Sequence, residues 1–441
     1  MRYSLVLEGL LVGTIAGAVA IAYRLLLGYS EDILQWVLSF CRQSPWAVVG
    51  WFAILLLLAL CVGKLLKWEP MISGSGIPQV EGELTGHLNQ SWWRVLTAKI
   101  AAGTLCILGG LSLGREGPSI QLGGMTGKAV SKALKRTKVE ERHLITCGAS
   151  AGLAAAFNAP LAGIMFALEE IHKNFSVTVL FSVMTASVVA DFVSQYVFGL
   201  SPVFQFPVNS LTPLSCYWLI VILGVLLGIG GAIYNKATVN AQNLYEKIKW
   251  LKPHLRPVIP FFLAGILGFT MPQVLGSGHR MVDLLTNGSL LLPGVLILLL
   301  VKFLFSLASF GSGAPGGIFF PLLVLGAYIG GGFGMAAVSW LGLDPALVNN
   351  FIILAMAGFF TAIVRAPITG IVLITEMTGT LSHLLSLTVV SVVAYITADL
   401  LKSAPIYDSL LERILKKQGT PTEGNTREKV LIESVVQHGS G

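Results

Sequence analysis

The segment Gly114-Arg115-Glu116-Gly117-Pro118 follows an apolar run, Ile107–Leu111, and places a carboxylate between two glycines. A carboxylate at membrane depth is energetically costly and usually functional. The glycines allow the backbone to approach a bound group closely, and a proline suits the first turn of a helix, where no N–H is needed. We therefore expect Glu116 to lie where free backbone N–H groups face a cavity. Such a place is an anion site that contains an acid.

The composition is that of a polytopic membrane protein. Hydrophobic residues make up 54% of the 441 residues and charged residues only 12%, against about 25% charged residues in soluble domains. Three windows carry no charge over the length of a membrane span: Ser215–Tyr234, Pro257–Gly278 and Gly316–Leu343. Each is long enough to cross a hydrocarbon core of about 30 Å as a helix. The predicted fold class is therefore all-α, because a membrane β-barrel shows only a weak alternation.

The basic residues are clustered rather than spread along the chain. They concentrate in 128–142, in 236–256 and after Lys402, whereas Ser194–Pro213 carries no charge. Because cytoplasmic loops are rich in Lys and Arg, we expect the basic segments and both termini to be cytoplasmic, with the lipid bilayer as a partner. Membrane topology explains the net charge of +7, so no nucleic-acid partner is expected. The five cysteines lack metal-ligand spacing, and no metal site is predicted.

The apolar runs predict the order of the helices. Further spans are expected at Leu5–Leu27, Trp46–Gly63, Trp92–Leu113, Phe175–Gly199 and Ser382–Ala398. The first of these begins like a signal peptide, but its length favours an uncleaved helix. Small residues and proline interrupt the pattern at Ser73–Pro78. Asn158–Pro160 separates two short runs, 149–157 and 161–170, which are expected to be broken or re-entrant helices lining a cavity or buried in protein.

An internal repeat relates the two halves of the chain. Pro160, Gly163 and Glu169 recur as Pro367, Gly370 and Glu376, each 207 residues later (367 − 160 = 207). The glycine-rich stretch 74–76 recurs at 276–278, and 311–321 takes the place of 114–124. Interrupted helices at matching places in two halves indicate a secondary transporter with its site between the halves, near mid-membrane. The predicted units are a first repeat at 1–205, a second at 206–417 and a polar tail at 418–441.

Several residues have both a functional and a structural interpretation. Glu116 is either a carboxylate that occupies an anion site and leaves it on protonation, or a buried acid paired with Arg115. The adjacent Glu169 and Glu170 form either a cytoplasmic proton entry or an interfacial pair beside a basic loop. Lone charges inside apolar runs are expected to pair or to extend toward the interface rather than to catalyse; they are Lys99, Lys302 and Arg365.

The segment Gly148–Gly152 matches the G-x-S-x-G pattern of serine hydrolases, with Ser150 in the nucleophile position. That motif requires a sharp strand-to-helix turn and a partner histidine and acid. Here the neighbours are small residues within an apolar helical run. We therefore expect close helix packing, and an intramembrane serine hydrolase remains a remote alternative.

Four motifs in this order resemble those of the CLC family of chloride channels and proton-coupled chloride exchangers, most closely the prokaryotic exchangers. They are Gly74–Pro78, Gly114–Pro118, Gly316–Pro321 and Tyr407, and Phe157–Gly163 also fits. The resemblance implies two inverted repeats of tilted and often broken helices, assembled as a homodimer in the inner membrane of the cell. It covers nearly the whole chain.

The resemblance also implies roles for individual residues. The residues that it implies for anion binding are Ser75, Gly76, Ile77, Arg115, Glu116, Gly117, Ile318, Phe319 and Tyr407. The hydroxyls of Ser75 and Tyr407, with the N–H groups of Ile318 and Phe319, would hold the central chloride. Glu116 would compete with chloride and carry the proton, and Glu170 would be the internal proton glutamate.

The implied function is a chloride/proton antiporter, a transporter rather than an enzyme, with chloride as substrate and no cofactor. Channels of the family typically lack an acid at the position of Glu170, so this residue favours an exchanger. A passive chloride channel of the same family is the main alternative. Ser75 favours chloride over nitrate, and Ser75 together with Tyr407 argues against the fluoride-selective branch.

Overall fold

A computed structural model of the chain describes residues 2–173, 177–200, 202–204 and 212–419, and this part is almost entirely helical. The helices of the first half are α1 (Arg2–Cys41), α2 (Pro45–Trp68), α3 (Ile77–Leu84), α4 (Trp92–Leu108), α5 (Glu116–Ala133), α6 (Lys138–Phe157), α7 (Pro160–Phe166) and α8 (Val177–Phe198). Those of the second half are α9 (Tyr217–Lys247), α10 (Val258–Thr270), α11 (His279–Thr286), α12 (Leu292–Gly311), α13 (Phe319–Leu341), α14 (Leu347–Val364), α15 (Pro367–Thr378), α16 (Leu384–Leu400) and α17 (Ile406–Lys417). The predicted tail lies almost wholly outside the described residues.

Seven of the described helices are long and apolar enough to cross a membrane. The first was predicted to end at Leu27, but α1 continues to Cys41. At 1.5 Å per residue its 40 residues span about 60 Å, twice the hydrocarbon core, so the helix must tilt or project beyond it. Large apolar side chains are exposed along the spans, as Leu57 and Phe192 illustrate. Such exposure suits contact with lipid tails.

Two predicted element assignments are wrong. The uncharged window Pro257–Gly278 is not one span, because α10 ends at Thr270 and a 3-10 turn follows at Pro272–Val274. The run 149–157 is not a short half-helix but the end of α6, which starts inside the expected basic loop at Lys138. A capping box explains that start: Thr137 accepts a hydrogen bond from the Glu140 N–H, and Glu140 accepts one from the Thr137 N–H.

The break after α6 is where the sequence predicts it. Asn158 adopts a left-handed conformation with φ 52°, and α7 begins two residues later at Pro160. α7 is followed by a π-helical turn, Ala167–Ile171, in which the His172 N–H donates to the Ala167 carbonyl at 2.7 Å. Single π-helical turns occur frequently at functional sites.

The halves interlock through a reciprocal pair of helix caps. Glu169 of the first half accepts hydrogen bonds from the N–H groups of Ile368 and Thr369, at the start of α15. Glu376 of the second half accepts them from Leu161 and Ala162, at the start of α7. A carboxylate at a helix N-terminus satisfies free N–H groups and complements the helix dipole. The matched glutamates of the repeat therefore join its two halves.

The G-x-S-x-G segment lies inside α6, so it forms no strand-to-helix turn. A Cβ on Gly148 would collide with the backbone of Gly123, and one on Gly152 with that of Ser119. Both neighbours belong to α5. These glycines allow α5 and α6 to pack backbone against backbone, which is the role that small residues play between membrane helices.

Candidate functional site

Two glycine-rich loops, one from each half, meet at the centre of the protein. The Gly114 N–H donates to the Gly317 carbonyl at 2.7 Å, and the Gly317 N–H donates back to Gly114 at 2.8 Å. The Gly316 N–H also donates to the Gly74 carbonyl at 3.0 Å. These bonds join the loops that precede α3, α5 and α13. The N-termini of three helices, with their free N–H groups, are thus brought to one place.

Glu116 is the first residue of α5 and is fully buried. Neither of its carboxylate oxygens has a hydrogen-bond partner of good geometry among the described residues. Arg115 Nε lies 3.8 Å from Oε1, and the backbone N–H groups of Glu116 and Phe320 are nearby. The contact with Arg115 is too long for a hydrogen bond, so a firmly paired structural acid is not what the geometry shows. The carboxylate lies in a weakly bonded, donor-rich position from which it can be displaced.

Ser75 and Tyr407 present two hydroxyls to the same interior. Both residues are buried, and in the part of the chain that the structure describes neither hydroxyl has a hydrogen-bond partner of good geometry. The two side chains are close neighbours. Gly117 packs directly on Ser75, because a Cβ there would collide with Ser75 Oγ. Buried hydroxyls left without partners are costly, and donors without nearby acceptors suit an anion.

The remaining predicted ligands lie at helix starts. Gly76 is the N-cap of α3, with φ 97°, and Ile77 is its first residue. Ile318 is the N-cap of α13, and Phe319 is its first residue. The intrahelical bonds begin only at Val80 and Leu322, which donate to Gly76 and Ile318. N–H groups before those positions have no acceptor within their helix and are available to an anion.

A cavity of about 520 Å³ reaches Ser75 from one face of the protein. Lys67 and Arg256 line it together with residues of α9 and α17. Arg256 belongs to a basic segment that the charge pattern predicts to be cytoplasmic. So do Arg413 and Lys417 of α17, which pair with the one acidic residue among the described lining residues, Glu246. The cavity therefore gives an anion an electropositive approach to the Ser75 hydroxyl from that side.

Two buried lysines hold the loops in shape in the same way in both halves. Lys99 Nζ donates to the carbonyls of Ile72 and Gly74, at 2.8 and 2.7 Å. Lys302 Nζ donates to those of Val274 and Gly276, at 2.9 and 2.8 Å. Both lysines pair rather than extend to the interface, and their partners are the backbone carbonyls of the broken segments. Arg365 lies 3.7 Å from Asp399.

Replacing Lys99 with methionine is expected to lower the free energy of unfolding by about 2 kcal/mol, because two buried carbonyls lose their donor. Removing a buried ammonium offsets part of that loss. Thermal unfolding of the detergent-solubilised protein measures the change. The exposed Lys64→Met is the matched control and is expected to stay within about 0.5 kcal/mol. If Lys99→Met and Lys64→Met were equally stable, the hydrogen bonds from Lys99 to the two carbonyls would not contribute to the free energy of unfolding.

A second network supports the segment before Ser75. Gln79 Nε2 donates to the Ser73 carbonyl at 2.7 Å, and Gln121 Nε2 donates to the Met71 carbonyl at 2.9 Å. Lys128 was counted in the basic cytoplasmic cluster, but it is fully buried and donates to Glu83 Oε1 at 2.5 Å. Its charge therefore stabilises the loop next to α3 rather than facing the cytoplasm.

Glu170 lies in the π-helical turn after α7 and is buried. It is within electrostatic range of both Tyr407 and Lys173. Its neighbour Glu169 points elsewhere, into the start of α15. The two adjacent acids thus have different surroundings: Glu169 caps a helix, and Glu170 lies near Tyr407.

The structure brings Ser75, Glu116, Ile318, Phe319 and Tyr407 to one interior region, with Glu170 on the side of Tyr407. The sequence interpretation missed the backbone-binding role of Lys99 and Lys302. A sequence signal was present, because the two lysines lie at nearly the same distance after the matching Gly-Ser-Gly stretches (99 − 74 = 25; 302 − 276 = 26).

Known proteins share both the sequence pattern and the fold of this chain. The family model of the voltage-gated chloride channels matches residues 56–399. The chain belongs to the CLC family. The H(+)/Cl(-) exchange transporter ClcA of Vibrio cholerae is 37% identical over 431 residues, which cover 94% of this chain and 91% of the relative. The family predicted from the four motifs is thereby confirmed.

Solved CLC structures share the fold. A slow cyanobacterial Cl-/H+ antiporter superimposes with a TM-score of 0.88 at 30% identity, covering 95% of this chain and 99% of that structure. A CLC-type fluoride/proton antiporter superimposes with a TM-score of 0.75 at 22% identity, covering 92% of this chain and 97% of that structure, and shows the fold alone. The all-α fold of two inverted repeats of tilted and broken helices is confirmed. The exact boundaries of the repeats stay a prediction.

Proposed function

We propose that this CLC protein is a chloride/proton antiporter, a secondary transporter that moves chloride across the membrane in exchange for protons. The observation that carries the proposal is Glu116. It is fully buried, weakly bonded and placed where three helix N-termini meet. Both the Vibrio relative and the cyanobacterial structure are named as exchangers of these two ions. A carboxylate in that position can exchange with chloride and carry a proton.

Chloride is held by donors that lack negative charge. The buried Ser75 and Tyr407 hydroxyls have no hydrogen-bond partner of good geometry among the described residues, and the first N–H groups of α13, at Ile318 and Phe319, complete the set of donors. The remaining backbone and side-chain groups around the anion path come from Gly76, Ile77, Arg115 and Gly117. The partial positive charge of each helix N-terminus favours an anion there.

Proton movement uses two carboxyl groups at different depths. Ionised Glu116 competes with chloride for the same donors, and protonation removes its charge and lets chloride replace it. Glu170 then supplies or receives the proton from the cytoplasmic side of Tyr407. Because the ionised Glu116 carboxylate and chloride would use the same N–H donors, each protonation of Glu116 would be linked to a chloride movement. That exclusion produces exchange rather than leak.

A reversal-potential measurement in reconstituted liposomes tests the antiporter. With opposed chloride and pH gradients, an exchanger reverses at a potential set by both ions, whereas a passive channel reverses at the chloride potential alone. We expect the former, with uphill proton uptake driven by a chloride gradient. Reversal at the chloride potential with no proton uptake would select the channel.

We further propose a homodimer in the inner membrane with both termini cytoplasmic. The CLC family resemblance supports the dimer, and the clustering of Lys and Arg in three segments supports the orientation. Exposed apolar residues at the starts of α7 and α15, Leu161 and Ile368, lie beside the reciprocal caps and suit a subunit contact. Cross-linking of the protein in native membranes tests the dimer. Labelling of a cysteine introduced into the tail, in a variant without the five native cysteines, tests the orientation.

A further inference from the structure

Lys173 lies directly after the π-helical turn and has a left-handed backbone, with φ 53°. Its ammonium group contacts two carboxylates from distant parts of the chain. One is Glu81 Oε1, on α3. The other is Asp408 Oδ1, on α17, at 2.7 Å. Glu170, three residues earlier in its own segment, is within electrostatic range.

The two partners of Lys173 belong to the elements that carry the two anion-binding hydroxyls. Glu81 is on the short helix that starts just after Ser75, and Asp408 is the residue after Tyr407. Lys173 itself is anchored to the turn that carries Glu170. One ammonium group therefore joins the three segments that bear Ser75, Tyr407 and Glu170.

The ion pairs of Lys173 with Glu81 and Asp408 are less exposed than surface ion pairs. The Glu81 side chain is 6% exposed, the Asp408 side chain 24% and the Lys173 side chain 28%. Ion pairs at such depth hold their geometry better than exposed pairs, and removing one member leaves a poorly solvated charge behind. The arrangement thus fixes the relative positions of α3, α17 and the turn.

We propose that Lys173 is a positioning residue for coupled transport, which holds the Ser75 and Tyr407 hydroxyls at the spacing that binds chloride and keeps Glu170 beside them. This inference rests on the proposed antiporter function. It predicts that loss of the ammonium group loosens the chloride site and the proton site together. A residue that only stabilised the fold would lower the yield of folded protein and leave both sites intact in the molecules that fold.

The test uses the purified full-length chain, with chloride affinity from calorimetry and proton-to-chloride coupling from liposome flux. Lys173→Met is expected to raise the chloride dissociation constant roughly tenfold, about the loss of one hydrogen bond. It is also expected to lower the number of protons moved per chloride at least twofold. Lys173→Arg keeps the charge and should restore both values. Lys416→Met, which removes an exposed ammonium from α17, is the matched control and should change neither.

Lys173→Met removes the cation that contacts both Glu81 and Asp408, and the variant can fail to fold for that reason alone. The triple variant Lys173→Met, Glu81→Gln, Asp408→Asn removes the whole charge cluster and avoids that penalty. We expect it to fold and still to show weakened affinity and coupling. Wild-type affinity and coupling in the folded triple variant would overturn the proposal. Absence of proton movement in the wild-type protein would instead overturn the antiporter function, and the affinity measurement would still test Lys173.

Discussion

Replacing Glu116 with glutamine is expected to abolish proton movement while chloride still crosses the membrane. Glutamine fills nearly the same volume but cannot bind or release a proton at that place. Groups that transfer protons typically contribute 10² to 10⁴-fold in rate, so we expect proton flux to fall by roughly 10²-fold or more. The neutral amide also no longer competes with chloride as an anion. Chloride flux should therefore persist and lose its dependence on the pH gradient.

Liposome flux with a pH electrode and a chloride electrode in the same sample measures both ions. Glu141→Gln is the matched control, since Glu141 is also buried but pairs with the exposed Lys138 at 2.7 Å on α6, away from the anion site. It should keep wild-type coupling. Chloride uptake that still responds to pH in Glu116→Gln would exclude Glu116 as the shared proton and chloride position.

The meeting of several helix starts at one site was predictable, because those starts depend on local breaks in the chain. Glycine and proline at 73–78, 114–118 and 316–321 end or start helices regardless of what surrounds them, and the repeat places those breaks between two halves. The helix starts at Ile77, Glu116 and Phe319 follow from this pattern. Such signals lie within a few residues of each other and need no tertiary information.

What the sequence left open depends on distant contacts. Lys99 binds carbonyls 25 and 27 residues away, and nothing near Lys99 specifies that the loop turns its carbonyls inward. The basic segment that begins at Lys128 is predicted to be cytoplasmic, yet Lys128 itself is fully buried and donates to Glu83 and to the Gln90 carbonyl. The choice between the two interpretations of Glu169 and Glu170 also needed the fold, because adjacent residues on a helix face different directions. Only the position of α15 shows that Glu169 is a helix cap.

The different surroundings of Glu169 and Glu170 lead to the second prediction with a large expected effect. Replacing Glu170 with alanine is expected to lower proton flux by roughly 10²-fold or more and to leave chloride binding intact. Glu170 is buried in the π-helical turn near Tyr407, whereas the proposed chloride donors lie just before α3, at the start of α13 and on α17. Chloride should therefore still reach Ser75 through the cavity on the basic face. Paired proton and chloride flux in liposomes measures the change.

Glu169→Gln provides the sharpest control for this prediction. It removes one negative charge from the adjacent residue, as Glu170→Ala does at position 170. Its carboxylate caps α15, so the variant should lose some stability but keep the number of protons moved per chloride. Unchanged coupling in Glu170→Ala, with a loss in Glu169→Gln, would assign the proton path to the cap and the junction between the halves. The opposite pattern requires a proton that passes Tyr407 to reach Glu116. Under our proposal, chloride and the proton would in that case share Glu116 and diverge beyond Tyr407, chloride toward the cavity and the proton toward Glu170.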